Sequence, residues 1–181
     1  MNETAQKIIA SAESMIRDGG YHGFSFRQIA DELSIKSASV HYHFSTKEAL
    51  GCAVAENYTD RFMNGLGDSD RKNAIEHYLS LFTSSLKSDG RACLCGVLAG
   101  EAGRIPGSLR EALQKFSEKN VEWLEEAFAK RHPNWSQKDY RQSARVFFSG
   151  LEGAMVFAAL NNRPEHLTEI GESLLELFEK K

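Results

Sequence analysis

The chain has 181 residues, 41% of them hydrophobic, and a formal net charge of −3. That length suits one or two domains with a real buried core, and the acidic balance excludes a polyanion binder that works by bulk charge. Three prolines interrupt it, no run of alternating Val, Ile or Thr reads as a strand, and Ala, Leu, Glu, Lys and Gln recur at helical spacing. The pattern predicts an all-α fold of about nine helices with very little strand.

No stretch comes near the roughly 18 apolar residues of a membrane span. The first residues, with Asn2, Glu3, Thr4 and Gln6, lack a basic segment followed by an apolar one, so a cytoplasmic location without a membrane partner is expected. Cys52, Cys93 and Cys95 are an odd number in a reducing compartment, which argues against a disulfide framework.

In chain order, Thr4 is expected to cap a first helix that runs to Asp18, with Ile8, Ile9, Ala12, Met15 and Ile16 as its apolar stripe and Gly19-Gly20 as its stop. Tyr21 to Phe24 reads as a connector. Ser25 caps a short second helix in which Phe26, Ile29, Ala30 and Leu33 share one face, ending near Ser34. A third short helix follows from Ile35 to Phe44; Val40 and Phe44 anchor it and its small polar residues face outward. Ser45 and Glu48 match a capping box that opens a long fourth helix through about Asn64.

Gly65 to Asp70 reads as a linker. Ile75, Tyr78, Leu79, Phe82 and Leu86 mark a fifth helix stopped by Ser88-Asp89-Gly90. A short helix around Cys93 to Ala102 leads to the turn Ile105-Pro106-Gly107. A long helix then spans Leu109 to Arg131 and closes at His132-Pro133. Ser136 caps the next, to about Leu160, and Pro164 starts the last, to Lys181.

Two short helices joined by a tight turn, the second beginning with small polar residues, outline a helix-turn-helix. The string Phe24-Ser25-Phe26-Arg27-Gln28-Ile29-Ala30, then Leu33 to Phe44 with Val40-His41-Tyr42-His43-Phe44 at its close, then Thr46-Lys47-Glu48-Ala49-Leu50, closely resembles the DNA-binding domain of the tetracycline-repressor (TetR) family. The resemblance covers residues 4 to 52. Ser34 departs from it, because the family usually has Gly in the turn, where a left-handed backbone is needed.

In a helix-turn-helix the N-terminal end of the third helix enters the major groove. Lys36, Ser37, Ala38 and Ser39 are therefore positioned for base edges, with Ser25 and Arg27 at a phosphate or adjacent base. Tyr42, His43, Thr46 and Lys47 resemble the family's phosphate-contacting residues, and His41 is counted with the same surface. His41 and His43 point about 200° apart on a helix and do not share a metal ion. The first fifty residues hold five bases and six acids, a net of −1, so affinity must come from where the bases point and from doubling in a dimer.

The resemblance divides the chain into a DNA-binding domain, 1–50, and a larger helical ligand-binding and dimerisation domain, 51–181, whose last two helices pair with a second subunit. Phe148, Leu151, Met155, Leu167, Ile170, Leu174 and Phe178 are the interface candidates, and small residues in the penultimate helix permit close approach. In the family the fourth helix links pocket to reading head, with Ala49 to Asn64 its counterpart here. Cys93, Cys95, Glu101, Arg104, Trp123 and Phe147 mix apolar walls with polar groups as pocket candidates. The reading is a ligand-responsive regulator, in this family usually a repressor, that binds a near-palindromic double-stranded DNA operator as a homodimer and is released by a small-molecule inducer.

One alternative is a thiol-based redox or electrophile sensor using Cys93 and Cys95, set against the blander reading of both as small core side chains. Rivals of another class are an enzyme or a helical interaction module without DNA binding. No Gly-rich phosphate loop, His-Glu-x-x-His or nucleophile elbow favours an enzyme. No catalytic residue, cofactor or metal is expected.

Overall fold

Nine α-helices and one 3₁₀ turn make up residues 2–180, which the computed structural model describes; no strand occurs among them. They are α1 (Glu3–Gly19), the 3₁₀ turn Tyr21–Gly23, α2 (Phe26–Glu32), α3 (Ser37–His43), α4 (Lys47–Leu66), α5 (Ala74–Asp89), α6 (Leu94–Ala99), α7 (Gly107–Arg131), α8 (Gln137–Leu160) and α9 (Glu165–Glu179). The expected end of the last helix at Lys181 lies outside the described residues.

Two caps fall where sequence placed them. The Ser25 hydroxyl accepts from the Gln28 N–H at 3.3 Å, and Ser136 forms a reciprocal capping box with Asp139. Two others differ. Asn2, not Thr4, caps α1, its Oδ1 accepting from the Ala5 N–H at 3.0 Å. Thr46, not Ser45, caps α4, its Oγ1 accepting from the Ala49 N–H at 3.0 Å. That one-residue change puts Ala49 at the third helical position, so Glu48 closes no capping box and instead accepts from the Ser108 hydroxyl. Asn, Ser and Thr cap with comparable strength, so where two stand close together the packing chooses.

The contacts divide the chain into two units, residues up to Arg61 with Leu94–Phe116, and Phe62–Cys93 with the residues from Ser117 onward. The first is larger than the expected 1–50 and is not continuous in sequence. Its reason is α1, whose Ile8, Ile9, Ala12 and Ile16 are fully buried and which packs on α2, α3 and α6 alike. Each large aliphatic side chain so buried contributes about 1.5–3 kcal/mol. The α6 residues Leu94 and Leu98 are completely buried too. The helices α4 and α7 each contribute residues to both units.

In the second unit α8 packs on α9 and both pack on α5. Its centre is aromatic: the Tyr78 ring stacks on Phe82 at 5.2 Å and lies 5.6 Å from Trp123 and 5.7 Å from Phe62. The fully buried Tyr78 hydroxyl donates to Asn120 Oδ1 at 2.6 Å, which satisfies both polar groups. Gly171 lets α9 come close to α5, since a Cβ there would lie 2.3 Å from a Leu79 methyl. At the rim Arg131 forks between Glu76 and Glu179, each at 2.6 Å.

Contrary to the sequence reading, α8 is long and apolar enough to cross a membrane. Core helices meet the same criterion. Here Ala144, Phe147, Phe148, Leu151, Ala154, Met155 and Ala158 are buried inside the unit.

The turn between α2 and α3 is a Schellman motif. The Ile35 N–H donates to the Ala30 carbonyl at 2.9 Å and the Ser34 N–H to the Asp31 carbonyl at 3.2 Å, with Ser34 in the left-handed region at φ 54. The turn expected for Gly is thus formed by a serine, at a cost of about 1 kcal/mol. Ser34→Gly is expected to raise the unfolding free energy in urea by about that amount with no change in helix content; an unchanged or lowered value would show that the serine carries no strain.

Candidate functional site

The α3 helix is only seven residues long and is too short to persist by itself. It is held by Val40, which is completely buried, and by its packing on α2 and α1. With Val40 inside, helical geometry turns Ala38, His41 and Tyr42 away from the core; Lys36, the N-cap in extended backbone, and Ser37 stand at the open N-terminal end, and all five are exposed. Ser39, His43, Phe26 and Phe44 are half-buried. The His41 ring stands edge-on to Phe26 at 4.6 Å, which fixes its direction. Tyr42 keeps 85% of its surface open, so it is not a packed aromatic.

Beside this face, the Arg27 side chain is 90% exposed and only loosely near Asp31, at 3.9 Å. At that exposure the pair adds little stability, and the guanidinium is available to a phosphate or base. Ser25 and Thr46 are different in kind because each hydroxyl is engaged in capping its own helix. Gln28, which the sequence reading passed over, is exposed on α2 and shares its side-chain oxygen with the Ser25 hydroxyl at 2.7 Å.

Lys47 departs most from expectation. Its ammonium turns inward, donating to the Phe24 carbonyl at 2.6 Å and lying 4.4 Å from the Phe24 ring centre and 5.0 Å from that of Tyr21. Burial lowers its pKa, and the Glu101 carboxylate pushes in the opposite direction. The side chain pins the start of α4 to the connector before α2, so its geometry is that of a strut.

Glu101 belongs to the same knot. Its Oε2 accepts from the Tyr21 N–H at 3.2 Å, and its Oε1 occupies the space where a side chain on residue 20 would begin. The glycine at that position, with φ 71, leaves the space open. Of the other pocket candidates, Trp123 and Phe147 both stand against the Tyr78 ring, at 5.6 and 6.1 Å between centroids. Arg104 is exposed and Cys95 buried in the first unit; Cys93, Trp123 and Phe147 are buried in the second. Trp123 donates its indole N–H to the Gly67 carbonyl at 2.8 Å. Burial of both thiols favours the reading of Cys93 and Cys95 as small core side chains.

The polar group of the second unit that sequence reasoning missed is Glu152. Both its carboxylate oxygens are sealed from solvent without a hydrogen-bond partner, although other atoms of the residue reach the surface. Burial, and then the neighbouring Cys93 thiol, push this carboxyl well above the usual carboxylate range. Nothing in an apolar helix marks which side a lone Glu will face, so periodicity did not flag it.

The interface candidates are largely turned into the core of their own unit. Phe148, Leu151, Met155 and Leu167 are buried in the core of this unit; Leu174 and Phe178 are half-buried, and Ile170 alone is exposed. The open apolar side chains are Val146, Val156, Phe157 and Leu160 on α8 and Ile170 and Leu177 on α9. A helix apolar around most of its circumference offers two faces, and spacing does not say which one the core takes.

Residues 8–54 match the sequence pattern described as "Bacterial regulatory proteins, tetR family". Over 99% of this chain and 97% of its own length, the HTH-type transcriptional regulator YxaF of Bacillus subtilis (strain 168) is 23% identical. A TetR transcriptional regulator from Legionella pneumophila has a similar structure, with a TM-score of 0.89, 28% identity and 98% of each chain covered. A TetR-family transcriptional regulator from Agrobacterium tumefaciens superposes with a TM-score of 0.86, at 22% identity and 95% of each chain. Each of these relatives is described as a transcriptional regulator.

The inward Lys47 separates two kinds of basic residue. Lys47→Ala is expected to lower the unfolding free energy of the DNA-free protein by about 1–2 kcal/mol, from the lost charged hydrogen bond and ring contact. Arg27→Ala should stay within about 0.5 kcal/mol of the parent. Equal denaturation midpoints for Lys47→Ala and the parent would show that the strut carries no load.

Proposed function

We propose that this chain is a bacterial transcriptional regulator of the TetR family, a repressor that grips a near-palindromic operator as a homodimer in the cytoplasm and lets go when a small molecule binds its helical domain. The observation that carries the DNA-binding part is the outward face of α3, where Tyr42 is 85% exposed while Val40 is fully buried. Lys36 to Ser39 supply hydrogen-bond donors and one methyl group to base edges in the major groove. Arg27, Tyr42 and His43 fix the orientation on phosphates, and His41 lies on the same face. Ser25 and Thr46 contribute through the helix starts they cap, and Lys47 through the connector it holds.

The net charge of −3 is no obstacle on this reading, because Arg27 and Lys36 are placed where the duplex passes and a dimer doubles them. Two-fold pairing also sets the recognition helices about 34–36 Å apart, the spacing of successive major grooves. The exposed apolar stripe supports the pairing. Phe157 and Leu160 on α8 keep 64% and 72% of their surface, and Leu177 on α9 keeps 63%. Patches of this kind mark protein contacts, and joining α8 and α9 of two copies makes a four-helix contact.

The test is a mobility-shift titration on the upstream DNA of the chain's own gene at several salt concentrations. Binding should be specific and steeply salt-dependent. Arg27→Ala removes two phosphate contacts per dimer and should reduce the salt slope by about 2. Ser37→Ala should instead change the preference among operator variants; uniform weakening across all sequences would remove Ser37 from base reading. For the pairing, the double variant Phe157→Glu, Leu160→Glu is expected to sediment as a monomer with intact helical circular dichroism and to lose operator binding. A variant that still sediments as a dimer would mean that the subunits meet elsewhere.

A further inference from the structure

Glu152 is a carboxyl group in the wrong place for stability. Leaving a buried polar group unpartnered costs free energy that folding must recover elsewhere, and such a group in a well-packed unit calls for an explanation. No nitrogen or oxygen donor satisfies either of its oxygens, and only the weakly bonding Cys93 thiol lies beside it. Tyr78, whose ionisation Glu152 disfavours, donates its own proton to Asn120 at 2.6 Å and so has none to give. The neighbour that perturbs Glu152 is the Cys93 thiol, and no basic side chain offsets its burial.

We propose that the Glu152 carboxyl anchors a binding site for organic ammonium ions with an apolar body, formed among α5, α7, α8 and the end of α4 in the second unit. This deepens the inducer reading above and rests on it. Three features converge on that ligand chemistry. The anchor is an acid without a counter-ion, and an ammonium group supplies both the charge and the hydrogen-bond donors it lacks. Around the Tyr78 ring stand Phe62, Phe82, Trp123 and Phe147, at 5.2–6.1 Å between centroids, and aromatic faces attract cations in desolvated surroundings. Met155, one turn along α8 from Glu152, takes the Cys93 N–H on its sulfur at 3.0 Å. A flexible thioether at that place can re-pack to admit a guest.

The experiment uses the full-length protein and a matched panel: benzylamine, 2-phenylethylamine and octylamine, each beside the alcohol of the same shape. Binding is followed by calorimetry and by thermal shift. In the parent protein the amines should bind at least about ten-fold more tightly than their alcohols. Glu152→Gln and Glu152→Met should erase that preference while keeping the helical spectrum, and the Met variant should melt higher than the parent because the orphaned group is gone. The proposal is overturned by alcohols that bind as well as amines, or by an amine preference that survives both substitutions. A lower melting temperature in both variants would mark Glu152 as structural and overturn it as well, as would the absence of binding by any amine up to about 10 mM. Operator release by neutral or acidic compounds would sink this proposal and leave the inducer reading standing. If no compound of any charge released the operator, the inducer reading itself would fall.

Discussion

One buried side chain and one reversed residue define the face that α3 turns to solvent. Val40 points into the first unit with no exposed area, and Ser34 bends the backbone through the left-handed region at φ 54. Fixing those two fixes the rotation of α3, since successive side chains on a helix step by about 100°. The exposure of Ala38, His41 and Tyr42 then follows without further assumptions, while Lys36 and Ser37 are open because they stand at the helix start. A seven-residue helix has too few internal hydrogen bonds to choose its own orientation. Its rotation is a property of the packing of α1, α2 and α3 together.

The inward turn of Lys47 belongs to the same economy. A lysine at the start of α4 reads as a surface cation by type and position, and as a phosphate contact by family resemblance. Its ammonium instead meets the Phe24 carbonyl and two aromatic faces, with the Glu101 carboxylate bonded to the adjacent Tyr21 N–H. Connector backbone that would otherwise hold unpaired polar groups is tied from two sides, by an acid from beyond α6 and by a base from α4. Positive charge within the first unit therefore divides by task, part of it spent on holding the connector and part of it, at Arg27 and Lys36, left open to solvent.

Much of this was legible from sequence because it is local. The left-handed turn at Ser34, the caps at Ser25 and Ser136, and the burial of Val40 depend on neighbours a few positions away. Where sequence reading went astray, the deciding partner was remote. Thr46 displaced Ser45 as a cap while Glu48 found Ser108, 60 residues away. Glu101 found Tyr21, 80 residues away, and α1 drew α6 into its own unit. Spacing on α8 and α9 identified two strongly apolar helices but not which face of each the protomer would keep for itself.

Glu152 and the open stripe on α8 and α9 illustrate one physical logic from opposite directions. A chain folding for stability alone would pair or replace a sealed carboxyl and would cover Phe157, Leu160 and Leu177. Neither feature helps a single chain to fold, and each would be relieved by something that the chain does not itself contain. An apolar stripe is relieved by another apolar surface, which requires no particular chemistry beyond shape. An orphaned acid is relieved only by a group that brings hydrogen-bond donors, and most fully by one that brings positive charge as well. The second feature is therefore the more discriminating, because it narrows the chemistry of its partner as well as its outline.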